Sequence, residues 1–76
     1  MTGGPVKHSL TLRGHRTSVT LEPDFWQAFR DIATSKGIPI NVLAAKIDES
    51  READIGLASA IRVYVLRHYR AASHHS

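Results

Sequence analysis

The sequence has no cysteine among its 76 residues and no long apolar run. Without cysteine the chain forms neither disulfide bonds nor thiolate zinc sites, the usual reinforcements of very small domains. No stretch approaches the roughly 18 apolar residues of a membrane helix, and residues 1–7 lack the apolar region of a secretory signal. We therefore expect a cytoplasmic protein with no membrane partner.

The chain is long enough for one domain and too short for two. A domain of this size buries only about 60% of its unfolded surface when it folds alone. Hydrophobic residues make up 42% and charged residues 22% of the sequence, a globular rather than a disordered composition. Since disulfides are excluded, we expect a second copy of the chain to reinforce the fold.

The charge of the chain is mildly basic. Ten Lys and Arg against seven Asp and Glu give a formal net charge of +3, with a sequence pI near 9.8. This excess allows a polyanionic partner but does not require one. Serine and histidine occur without a third orienting group nearby, so the sequence indicates no enzyme. We also expect no metal site and no cofactor.

Two short segments alternate between apolar and polar residues, as half-exposed β-strands do. In residues 16–21, Val19 and Leu21 lie on one face with Thr17. The opposite, polar face consists of Arg16, Ser18 and Thr20. In residues 9–13 the apolar residues occupy even positions instead of odd ones, so the parity changes between the two segments.

Two arrangements around Gly14 explain the change of parity. A two-residue turn over Gly14 and His15 pairs Leu10 with Val19 and keeps every apolar residue on one side. A β-bulge at Gly14 within one longer strand also resets the parity. The sequence leaves both arrangements open.

Three helical patterns follow the strands. Glu22-Pro23-Asp24 is typical of a helix start, because proline suits the first helical position and acidic groups suit the positive end of the helix dipole. We expect this helix to run to Lys36, with Gly37 as its left-handed stop. A second amphipathic helix follows Pro39 and ends near Ser50.

The third helix, expected to begin at Asp54 or Gly56, is apolar on two sides. Val63 and Leu66 lie opposite its main apolar stripe. A helix of this kind requires two neighbours, and the second is most simply the other subunit of a symmetric dimer. The predicted dimer core comprises Val19, Leu21, Trp26, Phe29, Ile32, Leu43, Ile47, Ile61 and Val65.

The order of a polar-faced strand, a helix, a tight glycine-containing link and a second helix resembles the ribbon-helix-helix family of dimeric DNA-binding proteins. The Gly-His-Arg-Thr-Ser run at residues 14–18, the Phe25-Trp26 pair and residues 57–63 are similar to a bacterial subfamily of small proteins. The resemblance implies an α+β, mostly α, fold with an extra N-terminal strand and a C-terminal helix, as an intertwined homodimer. The domain would span residues 8–70, with flexible ends at 1–7 and 71–76.

The resemblance also implies a mode of DNA binding. Strands of two subunits would pair antiparallel and enter the major groove, which admits a two-stranded ribbon. Base reading would fall to Arg16, Ser18 and Thr20, the same side chains that the alternation turns outward. If residues 9–13 pair within the chain, however, the dimer carries four strands, and a sheet that wide does not enter the groove as a simple ribbon.

Phosphate contacts are expected at two places. The basic strand end supplies Lys7, Arg13 and His15. In the family the start of the second helix holds a phosphate through backbone N–H groups, which corresponds to Ile40 and Asn41. Pro39 replaces the usual capping Ser or Thr there.

The sequence thus predicts a homodimer that reads a specific double-stranded DNA site and acts as a transcriptional repressor or autoregulator. The alternative is a dimeric protein-interaction module that uses the same fold without reading DNA. Such a module would present its N-terminal strand or an arginine face to a protein partner. The arginine face comprises Arg62, Arg67 and Arg70.

Overall fold

The computed structural model describes residues 4–73, and the predicted flexible ends at 1–3 and 74–76 lie outside these described residues. Its elements in chain order are β1 (Val6–Leu12), β2 (His15–Leu21), α1 (Pro23–Lys36), α2 (Ile40–Ser50) and α3 (Leu57–Ser73). β1 and β2 form a two-stranded antiparallel sheet that precedes the helices. The fold is therefore α+β and mostly helical, with the extra N-terminal strand that the sequence predicts.

The outer elements reach further than the predicted domain of residues 8–70. β1 begins at Val6, which pairs with Leu21 at the far end of the hairpin. α3 continues to Ser73, whose hydroxyl donates to the Tyr69 carbonyl at 2.9 Å. Pairing along β1 and the helix-forming alanines near the end of α3 account for these longer elements.

A two-residue turn joins β1 to β2. Its central residues, Arg13 and Gly14, have φ angles of 55° and 82°. Positive φ at both central positions is the signature of a type I′ turn, whose twist matches that of the flanking strands. The turn pairs Leu12 with His15, so the chain forms a hairpin and not a bulged single strand.

The expected register of this hairpin was wrong by two residues. Leu10 pairs with Thr17 and not with Val19, because the turn lies one residue earlier than expected. Side chains alternate with a period of two, so a shift of two leaves every residue on its predicted face. The apolar face therefore survives the correction.

The helix boundaries follow the local signals closely. α1 spans the predicted residues, and Gly37 ends it with φ at 70° and its N–H directed to the carbonyls of Ala33 and Thr34. α2 ends at Ser50. α3 follows directly on Gly56, whose carbonyl accepts the N–H of Ala60 at 3.0 Å.

The core lies between the apolar face of the hairpin and the three helices. Its largest fully buried side chains are Phe29, Leu21, Ile32 and Ile61. All of the residues predicted for the dimer core except Trp26 are buried within a single chain. One chain thus has a core of its own, and a part for these residues in a dimer stays a prediction.

Trp26 is half-buried and joins β1 to α1. Its indole stacks on the imidazole of His8, with ring centroids 3.8 Å apart and an interplanar angle of 6°. On its other side it meets Phe29 at 6.1 Å between centroids. The stack holds the open end of the hairpin against α1.

Arg62 ties α3 to the residue that precedes α1. Its Nε and Nη2 donate to the two carboxylate oxygens of Glu22 at 2.9 and 3.2 Å. The guanidinium carbon also lies 5.9 Å from the centre of the Phe25 ring. The hydrogen bond from Arg62 lowers the pKa of the Glu22 carboxyl below its ordinary value of 4.5. No helix within residues 4–73 has the length and hydropathy needed to cross a membrane.

The strain at Arg13 gives a first prediction. Left-handed backbone costs an ordinary residue about 1–2 kcal/mol, whereas asparagine adopts it readily. In a Glu49→Gln background, which removes the Arg13–Glu49 ion pair, Arg13→Asn should raise the free energy of unfolding by about 1 kcal/mol in urea titrations. Gly14→Ala should lower it through backbone strain alone, since an added Cβ meets no atom within 4 Å. The opposite signs would contradict the type I′ turn.

Glu22 gives a second prediction. Because its pKa is lower in the folded chain, its ionised form stabilises the fold above the unfolded pKa, and that contribution disappears as the pH falls through the folded pKa. Glu22→Gln should therefore destabilise the protein at neutral pH, and the difference from wild type should vanish in acid. Urea unfolding followed by Trp26 fluorescence measures both. Glu52→Gln is the matched control and should show no such pH dependence.

Candidate nucleic-acid interface

The hairpin has one face that is polar throughout. Three cross-strand pairs build this polar face: Lys7 with Thr20, Ser9 with Ser18, and Thr11 with Arg16. All six side chains are exposed, whereas Leu10, Val19 and Leu21 are buried on the other face. The structure thus brings the three predicted base-reading residues together on a surface that points away from the core.

The two strands of this face lie close together. A two-residue turn makes Leu12 and His15 a hydrogen-bonded pair, so by alternation the polar-face pairs are non-hydrogen-bonded pairs with Cα atoms about 4.5 Å apart. The backbone N–H of Thr11 accordingly points away from β2 and donates to Oδ1 of Asn41 at 3.1 Å. Side chains opposite each other on the polar face can therefore contact the same ligand.

The bond from Thr11 to Asn41 places the start of α2 against the outer edge of β1. Pro39 precedes the helix with φ at −62° and ψ at 148°, and no side chain caps it. Its carbonyl accepts the N–H of Val42 at 3.0 Å. Within residues 4–73, the N–H groups of Ile40 and Asn41 have no such acceptor. These are the two predicted phosphate anchors, and their N–H groups can bind an anion.

The basic residues predicted to contact phosphate fall in three different environments. Lys7 is exposed on the polar face beside Thr20. Arg13, at the turn, forms an ion pair with Glu49, so a phosphate must displace that carboxylate. His15 is exposed but lies on the other face of the hairpin, the one that carries the apolar residues. Only Lys7 of the three stands directly on the polar face.

A cleft of about 420 Å³ lies between the hairpin turn and the link that joins α2 to α3. His15, Arg16 and Arg51 contribute to its walls. The Arg51 Nε donates to Asp48 at 2.7 Å, and its Nη1 donates to the Ile55 carbonyl at the same distance. These bonds engage Arg51, so the cleft adds little free positive charge to the polar face.

The polar face carries positive charge and no negative charge. Its six residues include one Lys and one Arg and no acidic residue. In the described part of the chain neither Lys7 nor Arg16 forms an ion pair. A surface of hydroxyl groups and free cations can donate and accept hydrogen bonds and can attract a polyanion.

Ser9 and Thr11 belong to this face, although the sequence analysis did not include them in the candidate site. The signal was present, because residues 9–13 alternate and place both hydroxyl side chains opposite Leu10 and Leu12. What was missing was the pairing with β2, which shows that the two polar strand faces form one surface.

Asn41 gives a prediction about this surface. Asn41→Ala removes the acceptor of the Thr11 N–H and should speed hydrogen exchange at that amide, with a loss of about 0.5–1.5 kcal/mol in stability. Asn41→Asp keeps an acceptor oxygen and should preserve the protection. The amide of Leu10, which faces β2, serves as the internal reference. Equal exchange at Thr11 in both variants would contradict the contact.

A family model described as a ribbon-helix-helix domain matches residues 5–69 of the chain. The match covers both strands, α1, α2 and most of α3. The comparisons with curated proteins and with solved structures gave no match. The matched region includes every residue of the polar face and the start of α2.

Proposed function

The chain belongs to the ribbon-helix-helix family, whose members are generally DNA-binding transcription regulators and not enzymes, and from this membership we propose a specific function. The protein binds a specific double-stranded DNA sequence as a homodimer and represses transcription, including that of its own gene. An antiparallel ribbon of strands enters the major groove. The proposal includes a cytoplasmic location, where bacterial DNA is accessible. The observation that carries it is the exposed polar face of the hairpin, which has free cations and no acidic side chain.

Base recognition rests on three side chains of β2. Arg16 can bind O6 and N7 of guanine with two hydrogen bonds, which is the commonest specific contact to a base. Ser18 and Thr20 can donate to or accept from either type of base pair. All three are exposed on the same face, at alternate positions of one strand, so they can meet successive base edges.

Phosphate contacts would fix the register of the protein on DNA. The free N–H groups of Ile40 and Asn41 are suited to one phosphate oxygen, with the positive end of the α2 dipole behind them. Lys7, Arg13 and His15 would add contacts near the hairpin, Arg13 by exchanging Glu49 for phosphate. The small net charge of +3 supports a binding mode with few phosphate contacts.

Dimerisation is supported by the outer side of α3. Val63, Leu66 and Tyr69 are 43%, 53% and 44% exposed, and they follow one another at a spacing of three residues. Residues at this spacing lie on one side of a helix, so the three side chains form an apolar stripe. Burial of this stripe against its symmetry mate would remove apolar surface from water.

The alternative function, an arginine face that binds a protein partner, is less well supported. Arg62 donates both of its hydrogen bonds to Glu22 within the chain. The face is thereby reduced to Arg67 and Arg70. No acidic residue stands on the polar face of the hairpin, which favours DNA as the partner of that surface.

Arg16 provides the direct test of base reading. A site is first selected from random DNA fragments with the wild-type protein. Arg16→Ala should then weaken binding to this site by about 1–3 kcal/mol and relax the preference at the base pair that it contacts. Arg30→Ala removes the same charge from an exposed position of α1 and should leave the preference unchanged. Wild-type selectivity in the Arg16 variant would reject its assigned role.

Salt dependence distinguishes the two partners. DNA affinity should fall linearly on a logarithmic plot against salt concentration, because bound phosphates release counterions. A mixed apolar protein interface would show no such slope. Titrations at several salt concentrations, combined with light scattering for the mass, test the ligand class and the dimer together. A flat salt profile, or a monomer bound to the selected site, would contradict the proposal.

A further inference from the structure

Resting on this proposed function, we infer that a single chain supplies both strands of the DNA-reading ribbon. Ser9 and Thr11 of β1 then read base edges together with Ser18 and Arg16 of β2. The hairpin of one subunit enters the major groove, and no strand from the partner subunit is needed for that contact. The inference rests on the register, the width of the sheet and the position of α2.

The register places the two strands in contact with the same stretch of DNA. Thr11 lies opposite Arg16, and Ser9 lies opposite Ser18, in pairs whose Cα atoms are about 4.5 Å apart. Opposite side chains in such pairs are close enough to touch each other. A base edge within reach of the Arg16 guanidinium is therefore also next to the Thr11 hydroxyl.

The width of the sheet limits what can enter the groove. The major groove is about 12 Å wide and admits a two-stranded ribbon. The hairpin has that width already, since all seven residues of β1 pair with β2. If β2 also paired with β2 of a second copy, four strands at a spacing of about 4.8 Å would span about 14 Å. A sheet of that width would rest across the groove and not penetrate it.

The position of α2 places β1 over the DNA. The N–H groups proposed to hold a phosphate belong to Ile40 and Asn41, and the Asn41 side chain accepts the N–H of Thr11 from the outer edge of β1. β1 therefore lies between the phosphate anchor and the base-reading strand. If both of these contact DNA, the polar side chains of β1 must face the groove.

The chemistry of Thr11 suits a reading position. Its hydroxyl can donate or accept, and its methyl group can contact the methyl group of thymine. The Thr11 hydroxyl forms none of the hydrogen bonds found among residues 4–73, because the bond to Asn41 uses the backbone N–H. A substitution of this side chain therefore leaves the anchoring of β1 in place.

Thr11→Val and Ser9→Ala test the inference. Valine keeps the size and strand preference of threonine and removes only the hydroxyl. We expect Thr11→Val to weaken binding to the selected site by about 2- to 10-fold, as the loss of one hydrogen bond does, and to relax the base preference beside that governed by Arg16. Selection from random DNA with each variant measures this preference.

Thr17→Val is the matched control. Thr17 is an exposed threonine on the same hairpin, but it pairs with Leu10 on the other face. Its hydroxyl should not influence the selected sequence. Circular dichroism and thermal unfolding of all three variants should match wild type, which shows that the hairpin remains folded.

The possible failures are distinguishable. If Arg16→Ala loses the selected site while Thr11→Val and Ser9→Ala keep both affinity and preference, β1 does not read DNA and the proposed function stands. If the β1 variants weaken binding equally for all sequences, β1 lies over phosphates at the rim, and the inference is wrong. If Arg16→Ala also behaves as wild type, the proposed function and the inference fail together.

Discussion

The turn over Arg13 and Gly14 sets the arrangement on which the rest of the molecule depends. Positive φ at both residues fixes the pairing of Leu12 with His15, and every later pair of the hairpin follows from that one. A shift by a single residue would turn the apolar face outward and the polar face inward. The turn thus decides at once which residues enter the core and which are available to a ligand.

The core and the polar face constrain each other through the hairpin. Leu10, Val19 and Leu21 bury the inner face against the helices, so the outer face is held in a fixed orientation. The edge of β1 is held by Asn41, and the stack of His8 on Trp26 holds the same strand against α1. A surface supported in this way is preorganised, and preorganisation lowers the entropy lost on binding.

The distribution of charge separates contacts that stabilise the fold from contacts available to a partner. Arg13, Arg51 and Arg62 are engaged by carboxylates of the same chain. Lys7 and Arg16 stand on the polar face without such partners in the described residues. A small net charge is therefore compatible with a localised positive surface, because position and not the total determines the local field.

The helices and the two faces of the strands were determined by the sequence alone. Pro23 and Gly37 act on the backbone within one turn of chain, and the alternation of residues 16–21 is a local pattern that needs no partner. The register, the joining of Thr11 to Arg16 on one surface, and the bond from Thr11 to Asn41 were decided only by the tertiary structure. Gly14 allows more than one turn, and which one forms depends on contacts between residues far apart in the chain. Local spacing cannot encode those contacts, because they arise only when the helices pack against the hairpin.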